Sequence, residues 1–247
     1  MVPLALFAIA AGFVLASKRK SSKGSNLSKQ NIEECKSLTT SGGNLAGIDY
    51  LEIVTGGAGP NAKLPMIISL HGLGYDKTAH VKWLEGLQVP ARVILPNGFY
   101  RQSGNEKKRT WWTSYSNKRL QEASERLARF VYLIQQCRPT AKNPVITGHS
   151  MGGYIALDFS TQFPELISAS VPVAATRSSA LWDIEPGVPV HAVHGGLDNS
   201  FNSGASYYSA MGQRGLPVYL TVVDNGAHRL ASANAEAWRN VLSHLVS

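Results

Sequence analysis

Pro144-Val145-Ile146-Thr147-Gly148-His149-Ser150-Met151-Gly152-Gly153 is the stretch whose reading decides the fold. A short apolar run comes first, and from Met151 to Gln162 the chain has helical periodicity. A strand therefore passes straight into a helix, with Gly148-His149-Ser150-Met151-Gly152 at the corner. In a G-x-S-x-G corner of this kind the serine is strained and its hydroxyl exposed at the sheet edge, while the glycines leave room for neighbouring backbone. The competing reading is a glycine-rich helix start with Ser150 as an ordinary N-cap. The strand before it and the helix after it favour a nucleophile.

Outward from this corner, short Val- and Ile-rich runs alternate with helix-period stretches. Strands are expected at 66–70, 92–95, 144–147, 167–174, 188–193 and 218–223, and helices at 77–87, 119–136, 151–162, 203–214 and 232–245. Residues 48–54 read as an earlier antiparallel or edge strand, ended by Gly56-Gly57-Ala58-Gly59-Pro60. Runs that are apolar throughout suit strands buried on both faces, so the expected class is α/β, a mainly parallel sheet flanked by helices on both faces. Residues 175–187 are too few to hold a cap domain.

A serine hydroxyl is a weak nucleophile and needs a base oriented by an acid, which on such a sheet follow in the order Ser, Asp, His. Asp198 and His228 supply that order, each in a loop leaving the carboxyl end of a strand. Asp183 and Asp224 are the rival acids; Asp158, within the helix after Ser150, faces the wrong way. His80 and His244 lie on expected helices and read as packing or surface residues. His191 and His194 form H-x-x-H on a strand rather than H-E-x-x-H on a helix, so no metal is expected, and His194 reads as a brace for the acid loop. Acyl transfer also needs donors aimed at a developing oxyanion. His71-Gly72-Leu73-Gly74 follows the strand at 66–70, which makes the Leu73 amide the first candidate, with Gly72 as runner-up, and the Met151 amide the second. His71 itself reads as structural.

With HGLG at 71–74, GHSMGG at 148–153, and an Asp and a His in order, residues 45–247 resemble the α/β-hydrolase superfamily. The nearest branch is the carboxylesterase/phospholipase-like one of acyl-protein thioesterases, feruloyl esterases and polyhydroxybutyrate depolymerase-like enzymes. The resemblance implies a serine esterase that hydrolyses carboxylic esters through an acyl-enzyme, without metal or cofactor. It places the family's roles on Ser150, Asp198, His228, Leu73 and Met151. A thioesterase or small-amide hydrolase, and a non-catalytic relative, are the alternatives, because this fold hosts many chemistries. Specificity is expected from the polar and aromatic loop at 98–117, with Trp111, Trp112 and also Tyr75 as substrate-contacting candidates. Against this stands the simpler reading that one tryptophan is core and the basic run only solvated.

The 247 residues carry a formal charge of +8, of which Lys18, Arg19, Lys20, Lys23 and Lys29 contribute five. The rest of the chain is only mildly basic, with no basic face interleaved with aromatics, so nucleic acid is not expected as a partner. Residues 2–16 form an uncharged apolar stretch, read as a membrane anchor or as a signal segment, and 17–31 as a basic flexible tether to a catalytic domain at 32–247. At ~1.5 Å per residue the apolar stretch spans ~24 Å of a ~30 Å hydrocarbon layer. The lysines after it favour an uncleaved anchor with the domain on the cytoplasmic side. Cys35 and Cys137 lack metal-ligand spacing; Cys137 reads as a small buried apolar residue, and a disulfide between the two depends on geometry the sequence does not give. A small-molecule ester is the expected substrate; the oligomeric state stays open.

Overall fold

The computed structural model describes residues 33, 35–102, 104–177 and 185–247. The expected apolar segment and tether, and Asp183, lie outside these residues.

Among the described residues ten strands and five α-helices follow one another. The strands are β1 (Gly42–Leu45), β2 (Ile48–Val54), β3 (Met66–Leu70), β4 (Arg92–Pro96), β5 (Tyr100–Gln102), β6 (Asn105–Thr110), β7 (Val145–His149), β8 (Ala169–Val173), β9 (Val190–Gly195) and β10 (Val218–Val223). The helices are α1 (Val81–Leu84), α2 (Asn117–Cys137), α3 (Met151–Gln162), α4 (Phe201–Gln213) and α5 (Ser232–Val246). Eight strands form one sheet in the order β1-β2-β4-β3-β7-β8-β9-β10. β1, β2 and β4 pair antiparallel, and every pairing from β4 to β10 is parallel.

Side chains alternate across a strand, so each central strand feeds two cores. In β3, Met66, Ile68 and Leu70 pack with α2 and α3, while Ile67 packs on the other face with α1 and α5. In β4, Ile94 joins the first core and Val93 and Leu95 the second. Helix α2 buries Leu120, Leu127, Val131 and Ile134, and Ser116 caps its start by accepting from the Arg119 N–H at 3.2 Å. Trp238 of α5 donates its indole N–H to the Thr147 hydroxyl at 2.8 Å, which fixes that helix against the strand leading to Ser150.

Three departures from the sequence reading have local causes. The helix expected over 77–87 shrinks to α1, because Asp76 accepts from both the N–H and the hydroxyl of Thr78 and Asn97 accepts from the Lys77 N–H, which holds the approach as a turn. The region read as a loop at 98–117 contains the hairpin β5–β6, which turns through Gly104 at φ 78°. Cys137 is not an unpaired apolar residue: it forms a disulfide with Cys35, Cα atoms 5.0 Å apart, and pins the chain before β1 to the end of α2.

Beneath that bridge lies a buried ionic cluster. The Glu52 carboxylate, fully buried, pairs with Arg92 and takes the Arg138 Nε–H at 2.7 Å. Arg92 also donates to the Pro60 and Ala62 carbonyls at 2.8 and 3.1 Å, so most of its guanidinium is satisfied despite burial.

Candidate active site

Ser150 stands between β7 and α3 with φ 52° and ψ −115°, left-handed backbone of a kind that costs a non-glycine residue about 1–3 kcal/mol. Close packing holds it there. A Cβ on Gly148 would fall 2.4 Å from the Gly152 carbonyl, and one on Gly152 would fall 2.1 Å from the Leu70 oxygen, so neither position has room for a side chain.

The loops after β9 and β10 bring two more residues to the same sheet end, where ligands bind in open α/β folds. His228 Nε2 lies 3.0 Å from Ser150 Oγ, and its Nδ1 lies 2.8 Å from Asp198 Oδ2. The loop carrying His228 is held from behind by Asn234, whose side-chain amide donates to the Ala227 carbonyl at 2.7 Å. Asp198 is buried, which pushes its carboxyl up. Hydrogen bonds from the Ser200 N–H, from His228 and from the Ser200 hydroxyl outweigh that effect and leave it below the ordinary aspartate value. His194 Nε2 also stands 3.2 Å from Asp198 Oδ2. Burial lowers the His194 pKa, so the brace is a neutral ring at neutral pH.

Two of the other acids, Asp224 and Asp158, go elsewhere. Asp224 is exposed at the end of β10, and Asp158 is buried in α3 with Arg177 at 3.6 Å. His80 is buried, with Nδ1 2.9 Å from Ser69 Oγ, while His191 stacks on Tyr219. Among the described residues no group of three or more His, Cys, Asp or Glu is arranged to hold a metal ion.

His149 was not singled out from sequence, although it is the residue before Ser150. Its Nε2 is 2.7 Å from the His228 carbonyl; a carbonyl only accepts, so this nitrogen carries the proton. Burial lowers its pKa and keeps it neutral.

In the loop after β3, the Gly74 N–H is taken by the Arg109 carbonyl and the Tyr75 N–H by the Gly72 carbonyl, while Arg109 returns its N–H to Tyr75. Gly72 and Leu73 remain as the loop donors without a partner among the described residues, as does the Met151 N–H at the start of α3. Strand β6 thus pairs with the expected oxyanion loop, a relation with no signal in the sequence. His71 sets the root of that loop: its Nε2 accepts from the Gly98 N–H at 2.9 Å, so Nδ1 donates to the Gly72 carbonyl at 2.8 Å. Burial pulls the His71 pKa down to about 4, the bond to Gly72 offsetting it only in part.

The three substrate-contacting candidates separate. Trp112, 5% exposed, lines a cavity of about 460 Å³ at Ser150 together with Leu73, Tyr115, Met151 and Tyr154. Trp111 does not: at 1% exposure it stacks on His71 and donates its indole N–H to the His71 carbonyl at 2.8 Å, a core residue behind the loop. Tyr75 lines a different cavity, which it shares with His149 and not with Ser150. Tyr154, one helical turn after Ser150, was not singled out from sequence, whereas Tyr115 lies in the aromatic loop at 98–117 from which specificity was expected.

A mostly parallel sheet flanked by helices, with a strained serine at a strand-to-helix corner, defines the α/β-hydrolase superfamily, and this chain is a hydrolase of that fold. Residues 85–245, more than half of the chain, match the dienelactone hydrolase family, and the chain belongs to it. Among solved structures, a carboxylesterase from Mesorhizobium loti aligns with TM-score 0.66 at 15% identity over 82% of this chain and 99% of its own. The Bacillus cereus carboxylesterase aligns with TM-score 0.66 at 15% identity, over 88% and 100%. Acyl-protein thioesterase 2 of Zea mays aligns with TM-score 0.58 at 18% identity, over 80% and 99%. At these identities the likeness is one of fold. No curated protein matches the chain in sequence.

Proposed function

We propose that the protein is a serine esterase that cleaves carboxylic esters through an acyl-enzyme on Ser150. The carrying observation is the unbroken chain Ser150 Oγ, His228, Asp198, with links of 3.0 and 2.8 Å. In this reading His228 takes the Ser150 proton as Oγ attacks the ester carbonyl, and the oxyanion is met by the N–H groups of Leu73 and Met151. His228 then hands the proton to the departing alcohol oxygen. Water adds to the acyl-enzyme by the reverse sequence, and the acid leaves.

Ser150→Ala is expected to abolish hydrolysis of p-nitrophenyl butyrate and labelling by a fluorophosphonate probe; retained turnover would refute the assignment. Matched ester, thioester and amide substrates separate an esterase from a thioesterase or amidase.

The apolar stretch at 2–16 is proposed to tether this domain to a membrane. The described residues hold no helix long and apolar enough to cross one. The Cys35–Cys137 bridge supports placing the domain on the oxidising side, against the orientation the flanking lysines favour. Fractionation of the full-length protein and of a form lacking the first thirty or so residues, judged from the composition change there, tests the tether.

A further inference from the structure

The reaction centre is flanked by two cavities, and neighbouring residues divide between them. Ser150 lines the cavity of about 460 Å³, whereas His149 lines a second one of about 270 Å³. Leu73 faces the first and Tyr75 the second, so the loop carrying the expected oxyanion donor passes between them. Gly72 sits at the junction: a Cβ there would lie 3.2 Å from His149 Nδ1 and 3.6 Å from Ser150 Cβ.

The cavities differ in chemistry. The first is walled by Trp112, Tyr115, Tyr154 and Met151, and its cation, Arg177, is engaged by Asp158, the Leu157 carbonyl and Thr161. The second has Trp83 and Leu230 as apolar walls and two cations, Lys82 and Arg229. Lys82 lies 4.3 Å over the Trp83 ring, and neither cation has a carboxylate within ion-pair distance among the described residues.

Proton traffic tells the two sides apart. A base that receives the serine proton must return it to the leaving oxygen, so the leaving group lies on the histidine side of the scissile bond. Arg229 and Leu230, which follow His228 directly, line the second cavity; the α3 residues Met151 and Tyr154 line the first. On the esterase reading above, we propose that the cavity beside His149 is the leaving-group subsite and takes an alcohol bearing an anionic group. The preferred substrate is then an open-chain ester with an apolar acyl part in one cavity and an acidic alcohol part in the other. A compact cyclic ester fills only one of them.

The test compares kcat/KM for 3-carboxyphenyl acetate with that for 3-carbamoylphenyl acetate, which has the same shape without the charge, and phenyl hydrogen succinate with phenyl butyrate to place the charge on the acyl side. The carboxyphenyl ester is expected to be preferred over the carbamoyl ester. That ratio should fall about fivefold or more in a Lys82→Gln, Arg229→Gln double variant and shrink at high salt, as partly exposed charge pairs do. A ratio of one or below, a ratio unmoved by the double variant, or a preference for charge on the acyl side overturns the subsite. Turnover of no ester at all overturns the esterase reading instead. The subsite is then read by calorimetric titration of the Ser150→Ala variant: 3-hydroxybenzoate should bind more tightly than 3-hydroxybenzamide, and equal affinities overturn it.

Discussion

The indole N–H of Trp111 donates to the carbonyl oxygen of His71 across 2.8 Å, and through that bond a core residue holds the point at which the Gly72-Leu73-Gly74 loop leaves β3. Trp111→Phe keeps the ring on His71 but leaves a buried carbonyl unsatisfied, at a cost of about 1–3 kcal/mol. The expected result is a lower melting temperature together with a larger loss in kcat than in KM for p-nitrophenyl butyrate. Unchanged kcat would mean that the loop is positioned without Trp111.

Asp198→Asn should lower kcat by about 10³- to 10⁴-fold, because an amide in that place favours the wrong tautomer of His228. Asp224→Asn, at the exposed end of β10, is the control and should change kcat little. Similar losses in both variants would remove Asp198 from the proposed role.

Stability should fall as the solution is acidified from neutrality. His71 has a folded pKa of about 4 against an ordinary 6.5, and buried His80 is lowered in the same sense. Below pH ~6.5 the unfolded chain therefore binds protons that the folded chain refuses, which favours unfolding until the folded pKa is passed. The sign is that of a depressed histidine, with nothing gained above pH 6.5 and a progressive loss from there towards about 4. Asp198, also lowered, loses its contribution as pH falls through its own folded value. Urea midpoints measured at pH 7, 6 and 5 should decrease in that order; equal midpoints would refute the burial argument.

Reduction of the Cys35–Cys137 bridge, or Cys35→Ser with Cys137→Ser, should lower unfolding stability by about 2–5 kcal/mol, since the bond closes a long loop of the unfolded chain. Fluorophosphonate labelling of Ser150 well below the melting temperature should continue in the reduced protein. The same labelling rate without any fall in melting temperature would mean that the bridge does not restrain the chain.

The sequence was legible where the physics is local or periodic. The apolar runs marked the parallel strands, the glycines flanking Ser150 marked the corner, and chain order placed Asp198 and His228 at neighbouring strand ends. Features set by tertiary approach were not legible. The segment Asn105–Thr110, NEKKRT, lacks the alternation of a half-buried strand, yet it pairs because Tyr100–Gln102 and Tyr75 offer it partners on both edges. Trp111 and Trp112 are adjacent and chemically alike. The turn after β6 sends one behind His71 and the other to the Ser150 cavity, and no periodicity encodes that choice. The cysteines meet across 102 positions, a proximity that exists only once α2 has docked on the sheet.

The Asp198 carboxylate is gripped on both oxygens: Oδ1 by the amide and hydroxyl of Ser200, and Oδ2 by His228 and by His194. One consequence concerns turnover rather than any single step. His228 is the exposed partner of the four, its side chain half open to solvent. On the esterase reading proposed above, a ring that left this place would leave three anchors on the carboxylate, so the acceptor would stay aimed at the position to which the ring returns.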